Sequence, residues 1–317
     1  MNRIKRKVSD ANLIRESIKS EDKNYLIDYY KSDIHKLEAI IRKDLSNWLE
    51  DLFLREYMCK CPIDSNEVNF IFQKKILGKY DVNYYKCSHC GIIKTETPYW
   101  LDEAYSDAIA NSDIGLLDRN NYNAKMVLTI LSILNRIHER VVDSAGGYGI
   151  LTRLLRDRGI HCYSSDKYCE NLFSSDFCGD HVENINVLLA FEVMEHLSNP
   201  IEFLSENIDK YNPDLLIFST QTFVDNPPLN WWYYSFHTGQ HVIFYQQKSL
   251  AMLANEFNLK YYMINDYYHL FSRDTISSAK LFLIKNKMAR KIIHIFCERI
   301  SKSRSLLQSD YNKIISK

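Results

Sequence analysis

Apolar residues recur along the chain with two periods, which predict helices alternating with buried strands. Helical spacing is found in three sets of positions: Ile34, Leu37, Ile41, Trp48 and Leu52; Met126, Val127, Ile130, Leu131, Leu134 and Ile137; and Leu281, Ile284, Met288, Ile292 and Phe296. Further helices are predicted over residues 151–158, from 201 onward and over 249–257. Apolar runs of strand length end or lie at residues 141–142, 185–191, 215–219, 259–263 and 268–271. The alternation predicts an α/β fold, a sheet with helices on both faces.

A turn rich in small residues follows the first of these strands. The chain reads V-V-D-S-A-G-G-Y-G-I over residues 141–150, with Asp143 at the strand's end. Ligands of open α/β sheets bind at such strand–turn–helix junctions, and small residues there let a ligand approach the backbone. The A-x-G-x-G spacing of Ala145, Gly147 and Gly149 differs from the G-x-G-x-x-G of dinucleotide sites. Asp166, which ends the next strand, is placed to accept hydrogen bonds from ribose hydroxyls.

Four of the eight cysteines cluster in one segment, which indicates a metal site. Cys87-Ser88-His89-Cys90-Gly91 is a knuckle that directs two thiolates at one ion. An earlier knuckle offers Cys61 and Asp64, and zinc accepts a carboxylate as well as thiolates. Cys59 is the alternative to Asp64, and His89 is a further candidate ligand.

Composition restricts the classes of partner. The 317 residues carry no net charge, so nucleic acid is not expected as a partner. No secretory signal or run of about 18 apolar residues is present, which predicts a cytoplasmic protein. From residue 280 onward ten lysines and arginines stand against two acids. This basic stretch predicts a solvated helical face; it could also touch an anionic surface.

Together these motifs resemble a bacterial family of zinc-ribbon class I S-adenosylmethionine (SAM) methyltransferases, often associated with surface-polysaccharide genes. The resemblance runs over residues 61–272 and includes E-V-M-E-H-L at 192–197 and the block W-W-Y-Y…G-Q-H that begins at 231. It implies a Rossmann-like sheet, a sugar-like small-molecule acceptor and two cofactors, SAM and Zn²⁺. The implied SAM-binding residues are Asp143, Ala145, Gly146, Gly147, Gly149, Asp166 and Phe191, the last near the adenine.

Methyl transfer requires an acceptor lone pair aligned with the methyl group, and a hydroxyl or carbon acceptor also benefits from a base. Glu195 and His196 are the first candidates for this base and His241 the second, because histidine changes charge near neutral pH. The alternative is that the Glu195-His196 pair only braces its loop. The aromatic stretch from Phe223 to Phe236 is interpreted either as a surface for a sugar ring or as a cover over the cofactor.

Four segments are predicted. They are a helical arm over residues 1–57, a zinc-ribbon-like segment over 58–98, the methyltransferase domain over 99–273 and a basic amphipathic helical tail over 274–317. The helical ends are expected to support self-association, with membrane-surface contact as a lesser alternative. Two other classes stay open: a non-catalytic scaffold that keeps the fold, and a nicotinamide-dependent oxidoreductase.

Overall fold

Two sheets organise the computed structural model, which describes residues 60–105, 114–302 and 304–316. The larger sheet has six strands in the order β5-β4-β6-β7-β10-β9, and the smaller has four in the order β1-β2-β3-β8. The arm predicted over residues 1–57 and the candidate ligand Cys59 lie outside the described residues. The strands are β1 Val68–Ile76, β2 Tyr80–Cys87, β3 Ile93–Thr95, β4 Arg140–Ser144, β5 Cys162–Ser165, β6 Ile185–Ala190, β7 Leu215–Ser219, β8 Ile243–Phe244, β9 Lys260–Met263 and β10 Tyr268–Ser272.

The helices fall between or after these strands, close to their predicted positions. Two short 3-10 turns, Met194–His196 and Trp232–Tyr234, lie in the loops after β6 and β7. The helices are α1 Leu101–Ala104, α2 Leu116–Leu134, α3 Ile150–Arg156, α4 Pro200–Tyr211, α5 Gln247–Glu256, α6 Ser278–Lys285, α7 Lys287–Lys302 and α8 Leu307–Ile315.

The larger sheet confirms the predicted α/β fold. Strands β5, β4, β6 and β7 are parallel, and β10 runs antiparallel between β7 and β9. Successive residues of its central strands face opposite sides, so Val141 joins one core and Val142 the other. A strand buried on both faces needs a continuous apolar run, which is the pattern its sequence shows.

Helices cover the two faces of this sheet. Side chains of α2, α3 and α6 share one core with the sheet, whereas those of α4 and α5 share the other. Local sequence fixes the start of α4, where Asn199 accepts a hydrogen bond from the Glu202 amide and Pro200 takes the first helical position. No described helix has both the length and the hydropathy needed to cross a bilayer.

The smaller sheet joins residues far apart in sequence. Its fourth strand, β8, follows β7 and pairs with β3 through Ile93 and Phe244. Much of the aromatic stretch after β7 packs beneath this sheet: Tyr233, Tyr234 and Phe244 are buried there with Trp100. Tyr233 and Tyr234 are therefore core residues that present no ring face to an acceptor, whereas Trp232 of the same stretch is 69% exposed.

The C-terminal helices pack on the domain through a buried ion pair. The Arg156 guanidinium donates to both carboxylate oxygens of Asp310 at 2.8 and 2.6 Å, and both side chains are buried. Arg153 Nη1 lies 3.0 Å from the same carboxylate. One face of α7 stays exposed through Met288, Ile292 and Phe296. The basic tail is thus held at α8, while part of its apolar stripe contacts solvent.

Candidate functional site

The turn between β4 and α3 has the backbone shape that its small residues permit. Ala145, Gly147 and Gly149 have φ of 55°, 54° and 79°, in the left-handed region that favours glycine. At Gly146 the restriction is space, since a Cβ there would lie 2.8 Å from Asp143 Oδ2 and from Ser164 Oγ. A Cβ on Gly147 would meet no atom within 4 Å. The turn is therefore tightly packed on its inner side and open at Gly147.

Asp143 lies beneath this turn as a buried carboxylate. Its side chain is 3% exposed, and Oδ2 accepts no hydrogen bond from any described residue. Burial, followed by the negative charge of Asp166, raises the pKa of Asp143 to about 7. A buried oxygen without a donor fits a site completed by a ligand that brings a positive charge or a donor group.

Asp166 connects the turn to the loop after β5. Its Oδ2 accepts from the Gly147 amide at 2.8 Å, and Oδ1 accepts from the amides of Tyr168 and Cys169 at 2.8 and 2.9 Å. The role predicted for Asp166 is ribose binding, which stays a prediction; the structure shows that its carboxylate holds the glycine turn in place. Each carboxylate oxygen can accept two hydrogen bonds, so Oδ2 retains capacity for a ligand hydroxyl.

Phe191 and Glu192 follow β6 at the same edge of the sheet. The Phe191 ring is half-buried, with its centroid 6.1 Å from that of Tyr268. Glu192 has a φ of 56°, and its carboxylate is paired with the Arg119 guanidinium at 2.6 Å and accepts from the Tyr267 hydroxyl at 2.9 Å. Sequence reasoning quoted Glu192 within its motif and gave it no role; its partners lie 73 and 75 residues away.

The three predicted catalytic residues lie together. One carboxylate oxygen of Glu195 and one ring nitrogen each of His196 and His241 are within 4.8 Å of one another. The two imidazole rings meet edge to face, with centroids 4.9 Å apart. Residues separated by 45 positions in sequence therefore form one cluster at the carboxyl edge of the sheet.

Burial controls the charge of this cluster. Glu195 is 2% exposed, and burial raises its pKa to about 8 despite nearby hydroxyls of Tyr233 and Thr220. Burial and the neighbouring His241 lower the pKa of His196 to about 3, and burial lowers that of His241 to about 4. Without a ligand, both imidazoles are therefore neutral at pH 7 and the carboxyl group is largely protonated.

Backbone groups fix the orientation of both rings. His241 Nδ1 lies 2.7 Å from the Tyr233 carbonyl, and His196 Nδ1 lies 3.1 Å from the Gln240 carbonyl. Val242 lies between the cluster and the small sheet: its amide donates to the Glu195 carbonyl at 2.8 Å, and its carbonyl accepts from the Thr95 amide at 2.9 Å.

The segment after the small sheet adds a residue that sequence reasoning missed. The Tyr105 hydroxyl lies 2.7 Å from His196 Nδ1. The Gln240 side chain donates to the Ala104 carbonyl at 2.9 Å, and the Trp100 indole donates to the Gly239 carbonyl at 2.7 Å. Nothing in the sequence near Tyr105 indicates this contact, because it depends on how α1 packs against a loop about 135 residues away.

A second cluster of metal-type donors lies in the small sheet's segment. Donor atoms of Cys61, Asp64, Cys87 and Cys90 are within 4.8 Å of one another, and the Cys61 and Cys90 sulfurs are 3.4 Å apart. Although burial opposes it, hydrogen bonds from His89, Cys61 and Asn66 lower the pKa of Asp64 to about 2. Three thiols and an ionised carboxylate fit the donor set of tetrahedral zinc. His89 Nδ1 contacts Asp64 Oδ2 at 2.8 Å, as a supporting neighbour of the carboxylate.

Residues 117–263, just under half of the chain, match a family model described as a methyltransferase domain. No curated protein matches the sequence. Among solved structures, mitomycin 7-O-methyltransferase MmcR is 15% identical with a TM-score of 0.39, and the match covers 49% of this chain and 54% of MmcR. Magnesium protoporphyrin IX methyltransferase from Synechocystis PCC 6803, with SAH bound, is 13% identical with a TM-score of 0.38, covering 54% of this chain and 90% of that one. TnmH is 14% identical with a TM-score of 0.41, covering 56% and 62%.

Proposed function

We propose that this chain, whose residues 117–263 match a family model described as a methyltransferase domain, is a SAM-dependent class I methyltransferase that methylates a hydroxyl of a sugar-like small molecule of surface-polysaccharide biosynthesis. The observation that carries the proposal is the cluster of Glu195, His196 and His241 at the edge of the sheet that also carries the glycine turn. A buried acid and two oriented imidazoles at that edge are suited to receive an acceptor hydroxyl.

The turn from Asp143 to Gly149 fits SAM. When bound, SAM supplies a methyl group activated by a positively charged sulfur. The unpaired Asp143 Oδ2 beneath the turn and the open side of Gly147 suit a cationic ligand lying close to the backbone. Asp166 keeps the turn closed and accepts a ribose hydroxyl, while Phe191 packs at the adenine side. Ala145 and Gly146 form the inner wall.

The three-residue cluster activates the acceptor. In the transfer, the acceptor oxygen bonds to the methyl carbon, the carbon–sulfur bond breaks, and neutral S-adenosylhomocysteine leaves. The hydroxyl proton passes to a neutral imidazole of the cluster, with His196 as the first receiving group and His241 as the second, and Glu195 can receive it only in its ionised form. Because His241 Nδ1 faces a backbone carbonyl, its Nε2 carries the lone pair that faces away from that carbonyl.

A sugar-like acceptor is supported by the resemblance of the sequence and by one exposed ring. Trp232 is 69% exposed, and its ring contacts Tyr233, whose carbonyl holds His241. An exposed indole next to the cluster can stack on the face of a sugar ring. The other aromatic residues of the stretch contribute to the core and make no such surface.

The test incubates the protein with SAM and a panel of nucleotide-linked sugars and detects methylated product by mass spectrometry. We expect product with at least one sugar, a large loss of turnover in His196→Ala and His241→Ala, and a raised KM for the sugar in Trp232→Ala. His237→Ala is the matched control, since this histidine is exposed in the same loop. Full turnover in both His196→Ala and His241→Ala would show that neither histidine activates the acceptor hydroxyl.

Two further features of the proposal concern assembly. Cys61, Asp64, Cys87 and Cys90 hold a structural Zn²⁺ that fixes the ribbon-like segment. The exposed apolar residues of α7 support self-association in the cytoplasm, which light scattering on the full chain would detect. Replacing Ile292 and Phe296 by glutamate is expected to give a monomer; an unchanged mass would exclude α7 as the contact.

A further inference from the structure

We propose that Glu195, His196 and His241 bind a divalent transition-metal ion, which holds the acceptor oxygen for methylation. The binding site stands on the geometry of these three side chains. Its role in catalysis rests on the proposed function and deepens it, because the ion performs the activation assigned above to a base.

The donor atoms of the cluster converge on one place, as the ligands of a single ion must. An oxygen of Glu195 and one nitrogen of each histidine are within 4.8 Å of one another. Glu195 Oε2 is fully buried, and no hydrogen-bond donor in the described part of the chain reaches it. A buried carboxylate oxygen that lacks a hydrogen-bond donor destabilises the folded state, because it has lost its contacts with water. A cation at this place supplies the missing partner.

The histidines are oriented as metal ligands usually are. A ligating imidazole presents one nitrogen to the metal and donates the N–H of the other to a carbonyl or carboxylate. In His241 and His196 the Nδ1 atom contacts the backbone carbonyls of Tyr233 and Gln240. A carbonyl only accepts, so Nδ1 of His241 carries the proton and its Nε2 is left with the lone pair that a metal ion requires. In His196 the Gln240 carbonyl favours the same tautomer, while the Tyr105 hydroxyl, 2.7 Å from the same Nδ1, can donate or accept.

The backbone holds the ligands in fixed relation before any ion binds. Glu195 and His196 belong to one 3-10 turn, and the Val242 amide, next to His241, donates to the Glu195 carbonyl at 2.8 Å. A prearranged site binds its ligand more strongly because less ordering is needed on binding.

The donor types indicate the kind of ion. Two imidazoles and one carboxylate suit Zn²⁺, Fe²⁺ or Co²⁺, whereas Mg²⁺ and Ca²⁺ prefer oxygen ligands. Three protein ligands leave coordination positions open for a substrate, in contrast to the four-donor cysteine cluster. Glu192 does not take part, because its carboxylate is already paired with Arg119 and Tyr267.

An ion at this site explains how the acceptor hydroxyl loses its proton. The hydroxyl oxygen binds the ion through a lone pair, its pKa falls, and the proton is released to solvent. The oxygen then forms its bond to the methyl carbon as the carbon–sulfur bond breaks. No oxidation or reduction occurs, and the ion stays with its three ligands.

The experiment titrates the full-length, chelator-treated protein with Co²⁺ and records its absorption. We expect two classes of bound cobalt, one with thiolate-to-metal charge-transfer bands from the cysteine cluster and one with only the weaker visible bands of nitrogen and oxygen ligands. His241→Ala and the isosteric Glu195→Gln should lose the second class and keep the first. Cys90→Ser should do the reverse, and His237→Ala should keep both.

Calorimetric titration with SAM, run on the same variants, separates this proposal from the proposed function. Two results would overturn the metal site at Glu195, His196 and His241. One is a wild-type protein whose bound cobalt shows only thiolate charge-transfer bands. The other is an unchanged set of non-thiolate bands in His241→Ala and Glu195→Gln. If the protein nevertheless binds SAM and methylates an acceptor, the proposed methyltransferase function holds without the metal site. Loss of the second cobalt class in variants that bind SAM as the wild type does would support the metal site and exclude unfolding as the cause.

Discussion

Gly146 lies against Asp143 so closely that a Cβ on the glycine would be 2.8 Å from Asp143 Oδ2 and 2.9 Å from the Asp143 carbonyl oxygen. The third atom within reach is Ser164 Oγ, also at 2.8 Å. Cβ atoms do not tolerate such distances, so a side chain at position 146 must displace the carboxylate, the turn or the neighbouring strand.

Gly146→Ala is therefore expected to lower the free energy of unfolding by about 1–3 kcal/mol, as overpacking does, and to weaken SAM binding strongly. Urea denaturation and calorimetry measure the two effects. Gly147→Ala is the control for the stability measurement alone, because its Cβ meets no protein atom and costs only the backbone strain of about 1–2 kcal/mol, although it enters the side proposed for the ligand. Adding Ser164→Ala to Gly146→Ala removes one of the three close atoms and should recover part of the loss. Equal SAM affinity in Gly146→Ala and wild type would contradict this account of the turn.

Asp143 should make the stability of the ligand-free protein depend on pH. Its pKa is about 7 in the folded protein against 3.8 ordinarily, so the folded state binds a proton that the unfolded chain releases between these values. The contribution of Asp143 to the unfolding free energy thus falls as pH rises from about 4 to about 7, by about 4 kcal/mol at most, and that contribution is level above this range. Asp143→Asn should flatten this part of the profile in denaturant titrations at several pH values. A variant with the same slope as wild type would show that another group causes it.

Removal of zinc should affect the small sheet first. We expect about one equivalent of zinc in the purified protein from the cysteine cluster, its loss in Cys90→Ser, and a lower melting temperature for that variant. Metal analysis and thermal denaturation are the measurements. Cys178→Ser, at an exposed cysteine outside the cluster, should match the wild type in both. If the zinc content of Cys90→Ser equalled that of Cys178→Ser, Cys90 would not be a zinc ligand.

The buried pair of Arg156 and Asp310 should contribute much more than exposed pairs do. Asp310→Ala leaves a buried guanidinium without its carboxylate, which typically costs about 3–5 kcal/mol. Glu206→Ala, which breaks the exposed pair with Lys167, should cost less than about 1 kcal/mol. Urea titrations compare the two. A loss below about 1 kcal/mol in Asp310→Ala would mean that α8 is not held through this pair.

The sequence predicted those parts of the fold that depend on local pattern. The strands of the larger sheet were found because both of their faces are buried, which leaves continuous apolar runs such as the one from Ile185. The glycine turn could be predicted because the motif that indicates its conformation lies within the adjacent residues 143–149. Ala145 adopts the left-handed conformation of the glycine that it replaces in the motif.

Contacts between distant segments could not be predicted in this way. His196 and His241 were both named, yet nothing in their separate surroundings indicates that their rings touch. The ion pair of Arg156 with Asp310 spans 154 positions, and neither residue is distinctive in its own segment. The burial of Tyr233 and Tyr234 could not be predicted, because rings that cover a small sheet and rings that bind a sugar have the same composition.

The backbone hydrogen bonds of Val242 determine how a truncated form of this protein would behave. Its amide donates to the Glu195 carbonyl and its carbonyl accepts from the Thr95 amide, so the residue next to His241 is bonded both to the loop after β6 and to the small sheet. A fragment that begins after Trp100 would retain the whole six-stranded sheet and lose the partner strand of β8. In such a fragment the glycine turn would keep its sheet, but the segment that carries His241 would lose the strand that supports it.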